Sequence, residues 1–427
     1  MIDELINRVK QGFDRIEDHR MPGGNLRYAL SDVLMSAYAM FSLKDPSLLV
    51  FRQRLEERWE NLKRIYQVKA VPADTALRQT LDGVSPSVLQ AQFQDILKLV
   101  EEKGLWSDRM VLGNHLAISI DGTGYYCSSN QACEHCLVKT RSTGKENYHH
   151  QMLAAVQVHH GQATVFPWDA EPIQKQDGQS KNDCEQNAAK RLIPRLGRSL
   201  AAGAKILTLM DALYPSGPCL KLLKEHQCSF IITIKEGYVL IQAEKMAQNG
   251  ELKTYSWEEG QTLCKVWWAE NLIHSGAHQD LTVNYFHFEQ VDSKTGKTLY
   301  SNSWITNLPL SEDIMPELVA TARSRWKVEN ETFNTLKNQG YNLEHNYGHG
   351  EKYLVSNFAI LMMLAFLVDQ IAQHADQYFQ KAWNYCKTKK NLWEKVRQVF
   401  DLLPCMSMNV IYRFISKDVI LDFPMLE

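Results

Sequence analysis

The chain has 427 residues, of which 44% are hydrophobic and 10% aromatic, so composition excludes a disordered protein and predicts more than one folded domain. Its formal net charge of −2 and its sequence pI of about 6.7 exclude a uniformly basic nucleic-acid binder. Any surface that binds nucleic acid must therefore be local, with carboxylates elsewhere offsetting its lysines and arginines.

The residues also favour a reducing compartment. The N-terminal segment carries mixed charge and lacks the apolar run of a secretory leader. Nine scattered cysteines, an odd number, argue against a disulfide framework. The longest apolar run, residues 358–368, is about half of the roughly 20 residues that a membrane-crossing helix needs. We therefore expect a cytoplasmic protein in which this run is a buried helix.

Residues 1–110 are predicted to form a helical N-terminal region, because their apolar residues recur three and four positions apart. The three clearest segments are LSDVLMSAYAMFSLKD, SLLVFRQRLEERWENLKRIY and SPSVLQAQFQDILKLVEEKG. Between the last two, Asp74 or Thr75 can cap a short helix that carries Arg78. This pattern is compatible with a helix-turn-helix that binds DNA ends, and equally with an ordinary helical bundle.

Residues 111–235 change to short strands that alternate with helices. The predicted strands are HLAISID, HQMLAAVQVHH, QATVFPW, AKILTLMD and SFIITIKEG. The predicted helices are residues 181–200, bent at Pro194, and PCLKLLKEHQ. Three strands, a helix, a strand, a helix and a strand are the order of an RNase H-like core, a mixed sheet flanked by helices, although other α/β folds share parts of that order.

The second half of the chain first departs from this alternation of strands and helices and then returns to helical patterns. Residues 236–309 contain LCKVWWAE, LTVNYFHFE and TLYSNSWIT, which predict a β-rich insertion. Helical patterns return in residues 310–372, which we assign to the second part of the α/β domain. Residues 373–427 are predicted to form a helical C-terminal region.

Two aspartates end predicted core strands. Asp121 ends HLAISID and is followed by Gly-Thr-Gly, which predicts a turn, and Asp211 ends AKILTLMD. One such aspartate is more often a turn or cap residue. Two of them at the ends of neighbouring strands favour a metal site, because Mg²⁺ takes oxygen ligands and shares them with substrate phosphates.

A third carboxylate is expected from a helix beside those strand ends, and ARSRWKVENETFNTLKNQG offers Glu329. Arg325 lies four residues earlier, so the two side chains share a face, and an ordinary ion pair on a solvated helix is the alternative. Glu331 is expected to point elsewhere. Arg325 and Lys337 are candidates to hold DNA phosphates beside the metal site.

Together the segments ISIDGTG, LTLMDALY and RWKVENETFNTLK resemble the three signatures of the DDE transposases of bacterial insertion sequences. The most similar group has a β-rich insertion between the second Asp and the Glu. Here the separations are 211 − 121 = 90 and 329 − 211 = 118 residues, and the second interval holds the β-rich segment.

The resemblance covers roughly residues 115–370, and WITNLP and KNDCEQNAAKRL also look like family segments. In that group the last signature has Tyr, Arg, Glu and Lys at set intervals. Arg325, Glu329 and Lys337 take the corresponding places. Ala322 or a neighbour stands at the Tyr place, and Lys337 lies one residue further along than expected.

The resemblance implies a transposase that binds the terminal inverted repeats of its element, cuts the ends and joins them to target DNA. It implies that Asp121, Asp211 and Glu329 bind Mg²⁺ or Mn²⁺, with two ions expected. Synapsis of two ends implies a homodimer on double-stranded DNA, in a bacterial cytoplasm and at the nucleoid. The alternatives are an RNase H-like nuclease or resolvase that does not join strands, and an inactive relative that only binds DNA.

Three further features lie outside these signatures. Cys133 and Cys136 form a two-cysteine clip from which a structural zinc site can be drawn, with Cys127 upstream and His149-His150 downstream; unligated loop thiols are the alternative. The loop that follows carries Lys139, Arg141 and Lys145, which either touch DNA or are solvated charges. His345-Asn-Tyr-Gly-His349-Gly either supports the site or forms a glycine-rich turn.

Overall fold

The computed structural model describes residues 1–21, 23, 26–175, 184–199 and 203–419, and these form a mixed α/β fold. The strands are β1 (Met110–Val111), β2 (His115–Ser128), β3 (Leu137–Thr140), β4 (Glu146–Gln157), β5 (Phe166–Ile173), β6 (Lys205–Met210), β7 (Ser229–Thr233), β8 (Lys253–Glu259), β9 (Thr262–Ser275), β10 (His278–Asp292) and β11 (Thr298–Thr306). The α-helices are α1 (Ile2–Asp14), α2 (Leu30–Ser42), α3 (Leu48–Gln53), α4 (Leu55–Ile65), α5 (Asp74–Asp82), α6 (Pro86–Glu102), α7 (Glu185–Leu192), α8 (Gly217–Glu225), α9 (Tyr238–Gln248), α10 (Met315–Arg323), α11 (Asn334–Asn338), α12 (Leu354–Ala375), α13 (Gln377–Cys386), α14 (Lys389–Leu402) and α15 (Met408–Ile415).

The strands join one sheet of eleven strands in the described part of the chain, in the order β3-β4-β2-β6-β7-β11-β10-β9-β8, with β1 on β2 and β5 on β4. Strands β5, β4 and β2 pair antiparallel, whereas β2, β6 and β7 pair parallel. The order β5-β4-β2-β6-β7 is that of an RNase H-like core, so the predicted fold class is confirmed. Helical regions precede and follow it.

Strand β2 runs further than the sequence pattern predicted. The Gly-Thr-Gly segment after Asp121 is not a turn: Gly122 pairs with Leu153 and Gly124 with Gln151, and β2 continues to Ser128. The prediction that Asp121 ends its strand was therefore wrong. The reason is that β4 continues beside β2 and pairs with those glycines, while β6 stops at Met210 on the other side.

The β-rich segment extends the sheet and does not form a separate layer. Strand β11 pairs antiparallel with β7, and β10, β9 and β8 follow outward from it. Trp304 of β11 lies opposite Thr233 of β7, so the insertion is anchored on a core strand. The segment begins with a helix, α9, which the β-rich pattern did not predict.

Two local predictions are corrected or limited by the structure. Neither Asp74 nor Thr75 caps α5: the N-cap residue is Ala73, and Asp74 lies in the first turn, where it pairs with Arg78 at 2.6 Å. Of the helix predicted at residues 181–200, the described part is α7 followed by a 3₁₀ helix, Ile193–Ser199; residues 181–183 and 200 lie outside the described residues.

Helix α12 is the central helix of the protein. It is long and apolar enough to cross a membrane, yet its most apolar stretch is wholly buried in the protein. It packs against α2 and α6 of the N-terminal region and against β5 of the sheet. Its N-terminus is held by Asp82 of α5, whose carboxylate accepts backbone hydrogen bonds from residues 351–354 at 2.9–3.0 Å.

Buried ion pairs join the N-terminal helices to the C-terminal ones. Lys44 contacts Asp369 at 2.5 Å, and both side chains are almost fully buried. Arg58, also buried, bridges Asp45 at 2.6 Å and Asp401 at 2.8 Å. Since a buried charge is costly without its partner, these pairs hold the two helical regions in one arrangement.

Candidate active site

Asp121 and Asp211 lie side by side at the point where β6 ends. The parallel pairing of β2 with β6 has a constant offset of 90 residues, from His115 opposite Lys205 to Ser119 opposite Leu209. Continued by two residues, that offset places Asp121 beside Asp211, which directly follows β6. The carboxyl ends of parallel strands open a crevice in such folds, and both carboxylates stand at that crevice.

Arg325 links Asp121 to Glu329. Its Nη1 donates to Asp121 Oδ2 at 3.0 Å, and its Nη2 donates to Glu329 Oε1 at 2.8 Å. The Arg325 carbonyl oxygen accepts a hydrogen bond from the Ser119 hydroxyl at 3.0 Å. Ser119 and Asp121 lie two residues apart on β2, so they share a face and both fix this arginine. The i,i+4 ion pair that was the alternative interpretation is present, but Arg325 also reaches across to the strand.

The three carboxylates differ in their surroundings. Asp121 is partly buried, and burial raises its pKa to about 6; Arg325 opposes that rise, and nearby Glu329 adds to it. Glu329 is half exposed. Asp211 is partly exposed, and its Oδ1 accepts the backbone N–H of Leu213 at 2.9 Å. A pKa of about 6 means that Asp121 changes charge near neutral pH, which is characteristic of functional sites.

The helix that carries Glu329 departs from regular α-helical geometry near Arg325 and Glu329. A 3₁₀ turn holds Arg325, and Val328–Phe333 form a π-helical turn in which the Asn334 N–H donates to the Glu329 carbonyl, five residues back. A π turn accommodates one more residue than an α turn and often occurs at functional sites. The π turn lies between Arg325 and Lys337, so these two cations are not related by regular α-helical spacing.

The other charged residues of that helix have separate partners. Lys337 Nζ lies 2.9 Å from Glu344. Glu331 acts electrostatically on Lys327 and Lys389. Lys327 donates to the carbonyl oxygens of His159 and His160 at 2.8 and 3.2 Å, which ties the helix to the loop after β4.

Glu185 is a fourth carboxylate of this crevice, and we did not single it out from the sequence. It begins α7, and a Cβ at Gly122 would collide with its carboxylate, so it lies directly over the residue after Asp121. Its Oε2 accepts the Tyr214 hydroxyl at 3.3 Å, and burial, together with Asp211, raises the pKa of Glu185. The signal was its place in KNDCEQNAAKRL, a segment noted only as family-like.

The surroundings of Tyr214 show that the carboxylates of the crevice lie close together. Burial raises its pKa, and the charges of Glu185, Asp211 and Asp121 raise it further. The phenol is therefore within electrostatic reach of three carboxylates. Its position three residues after Asp211 is set by a turn in which the Tyr214 N–H donates to the Asp211 carbonyl at 3.3 Å.

The basic loop lies on the hairpin between β3 and β4. Lys139, Arg141 and Lys145 are exposed, and Gly144 has the left-handed φ of +77° that closes the turn. The Lys139 and Arg141 charges help to lower the pKa of His149, whose largest cause is burial. A cationic hairpin tip therefore projects from the strand that pairs with β2.

Cys133 and Cys136 face two histidines. Each thiol lies within 3.5 Å of His150 Nε2, and His349 Nε2 lies 3.3 Å from Cys136 Sγ. Cys127, drawn into the zinc alternative from the sequence, is exposed and outside this group, and His149 is outside it as well. His349 belongs to the glycine-rich turn after the Glu329 helix.

Comparison with known proteins gives one family. A family model described as the transposase DDE domain matches residues 114–367, more than half of the chain. No curated protein matches significantly. Among solved structures, the chain is similar to the piggyBac transposase in a synaptic complex with hairpin DNA, determined by cryo-electron microscopy, with 12% identity and a TM-score of 0.41 over 100% of this chain and 80% of that one.

Proposed function

Since the chain belongs to the family of transposases with a DDE domain, we propose that Asp121, Asp211 and Glu329 are its catalytic metal ligands. The protein is a transposase, a metal-dependent enzyme that cuts DNA and transfers strands. The observation that supports the ligand assignment is the adjacency of Asp121 and Asp211 at the end of β6, with Arg325 joining Asp121 to Glu329.

The donor set fits Mg²⁺ or Mn²⁺. All three ligands offer carboxylate oxygens, which hard divalent cations prefer, and Glu185 adds a fourth carboxylate beside them. Four carboxylates meet one guanidinium here, so the crevice has an excess of negative charge that divalent cations would neutralise. The chemistry that two such cations supply when bound is activation of water, and later of a 3′-hydroxyl, for in-line attack on phosphorus.

Arg325 positions two of the ligands. Its guanidinium donates to both Asp121 and Glu329, and this holds the two carboxylates close together despite their like charge. When a phosphate enters, the same fork can donate to its oxygens, because guanidinium binds phosphate and carboxylate in similar geometry. Asp121 must be ionised to bind a cation, and its pKa of about 6 is low enough for that at neutral pH.

The exposed cations supply contacts to the DNA backbone. Lys139, Arg141 and Lys145 are the exposed cations of the β3–β4 hairpin, and Lys337, partly buried and 2.9 Å from Glu344, is a further candidate on the Glu329 helix. Lysine and arginine contacts to phosphates position a protein on DNA without reading its sequence. The DNA is proposed to be the inverted-repeat ends of an insertion sequence and its target, held by a homodimer at the bacterial nucleoid.

The test is incubation of purified protein and Mg²⁺ with the end DNA of its element and a supercoiled target plasmid. Cleaved ends joined to the plasmid are expected. Cleavage without joined products would favour a nuclease or resolvase. DNA binding that survives Asp121→Ala, in a wild-type protein that cuts with neither Mg²⁺ nor Mn²⁺, would favour an inactive DNA-binding relative.

A further inference from the structure

Four side chains outside the carboxylate crevice converge on one point. The ligand atoms of Cys133, Cys136, His150 and His349 all lie within 4.8 Å of one another. Cys136, His150 and His349 are buried and Cys133 is partly so. We infer that these residues bind one structural zinc ion, which joins the loop after β2 to the turn after the Glu329 helix.

Five of the six distances between the ligand atoms are close to the edges of a tetrahedral site. Zinc bonds of ~2.3 Å to sulfur and ~2.05 Å to nitrogen require edges of ~3.8 Å for S–S, ~3.5 Å for S–N and ~3.3 Å for N–N. The observed separations are 3.6 Å between the two Sγ atoms and 3.3 Å between the two Nε2 atoms. Three of the four Sγ–Nε2 separations are 3.5, 3.2 and 3.3 Å, and the fourth, between Cys133 and His349, is no more than 4.8 Å.

The contacts also favour thiolates over a disulfide. The two Sγ atoms lie 3.6 Å apart, well beyond the ~2.0 Å of a disulfide bond. The Cys133 backbone N–H donates to Cys136 Sγ at 3.3 Å, and such donation stabilises a negative sulfur. Two thiolates and two neutral imidazoles form a Cys₂His₂ set, which is typical of closed structural zinc sites.

The backbone around His349 is specialised for this position. Gly348 and Gly350 on either side have φ of +145° and +71°, a region that other residues rarely adopt. A Cβ at Gly348 would collide with the Arg78 guanidinium, and one at Gly350 with the Asp82 carboxylate. The turn is thereby pressed against α5, and His349 is directed into the cluster, 4.8 Å from the ring of Tyr126 on β2.

The ion would connect two elements that carry catalytic carboxylates. Tyr126 of β2 pairs with His150 of β4, so the cluster lies further along the strand that carries Asp121. His349 follows the helix that carries Glu329. His349 is 199 residues from His150 and 213 from Cys136 in the chain, so the ion would cross-link segments that are distant in the sequence.

The test measures the metal bound to the protein, so its outcome does not depend on whether the proposed reaction occurs. Wild-type protein expressed without added metal is expected to contain one zinc per chain by mass spectrometry of the elements. Its Co²⁺-substituted form should show the visible bands of tetrahedral cobalt with thiolate ligands. Cys136→Ser and His349→Gln should lose both signals, whereas the neighbouring controls Cys127→Ser and His149→Gln should keep them.

X-ray absorption of the wild-type zinc protein covers the case in which a variant does not fold. Two sulfur neighbours at ~2.3 Å and two nitrogen neighbours at ~2.05 Å are expected. The inference is overturned if the wild-type protein contains no zinc and binds no Co²⁺. It is also overturned by a Cys133–Cys136 disulfide in the native protein, or by zinc retained in both Cys136→Ser and His349→Gln.

Discussion

Arg325 Nη1 donates to Asp121 Oδ2 at 3.0 Å, and this hydrogen bond joins residues 204 positions apart in the chain. The arginine opposes the rise in the pKa of Asp121 that burial causes. The bond therefore helps to set the pH at which Asp121 ionises.

Replacing Arg325 should move the pH profile of DNA cleavage. In the wild type, cleavage should fall as pH drops through about 6, because Asp121 becomes protonated there. In Arg325→Gln the pKa of Asp121 rises further, so the fall should begin at a higher pH. Cleavage rates measured from pH 5.5 to 8.5 test this. Lys337→Gln is the control, since it should lower the rate without moving the profile.

Asp121→Asn should stabilise the metal-free protein. A carboxyl whose folded pKa of about 6 exceeds the ordinary 3.8 costs nothing below pH 3.8 and destabilises the fold increasingly as pH rises toward 6. At pH 7 the substitution Asp121→Asn should therefore raise the free energy of unfolding by on the order of 1–2 kcal/mol. Thermal unfolding at pH 7 and at pH 4 measures it, and an equal gain at both pH values would contradict the argument.

Added Mn²⁺ should make the wild type more stable than Asp121→Asn. The wild type should gain thermal stability with Mn²⁺ because a ligand that binds only the folded state stabilises it, and Asp121→Asn should gain much less. The gain in the wild type should shrink as pH falls through about 6. A gain that is the same in both proteins would place the ion elsewhere.

Glu329→Gln and Glu331→Gln form a matched pair. Glu329 contacts Arg325 beside Asp121, whereas Glu331 acts electrostatically on Lys327 and Lys389. Cleavage by Glu329→Gln should fall by ~10²–10³-fold or more, as is usual when a charge-stabilising group is lost from an active site. Cleavage by Glu331→Gln should change by less than ~10-fold. DNA binding by both should persist, and the opposite ranking would exchange their roles.

Glu185 should prove necessary for cleavage although no signature contains it. Gly122→Ala adds a Cβ that collides with the Glu185 carboxylate and should displace it. Glu185→Gln and Gly122→Ala should both reduce cleavage while DNA binding is kept. Asn187→Ala, an exposed position on the same helix, serves as the control. Full activity in Glu185→Gln would limit this residue to holding Tyr214.

The sequence identified the elements that local patterns specify, and missed what depends on distant partners. Asp211 was predicted at a strand end because it closes the apolar segment AKILTLMD. Asp121 was not placed correctly, since only β4 shows that β2 continues through Gly122 and Gly124.

The partners of the cysteines illustrate the same limit. Cys133 and Cys136 are visible as a motif, but His349 lies 213 residues beyond Cys136 and only the fold brings it there. The π turn at Glu329 is likewise not predicted by any residue pattern. Glu185 was overlooked because one acid at a helix start is usually an ordinary helix-terminus residue.

The packing of α12 has a consequence for how the molecule can be divided. The family match ends at residue 367, inside this helix, and begins after the helices that cover it. Residues 114–367 expressed alone would carry the whole carboxylate crevice but would leave the α2 and α6 sides of α12 open to water. The residues that match the family model therefore contain the carboxylate crevice but are not expected to fold on their own. The first 110 residues are therefore part of the folded body that buries α12 and are not a detachable module.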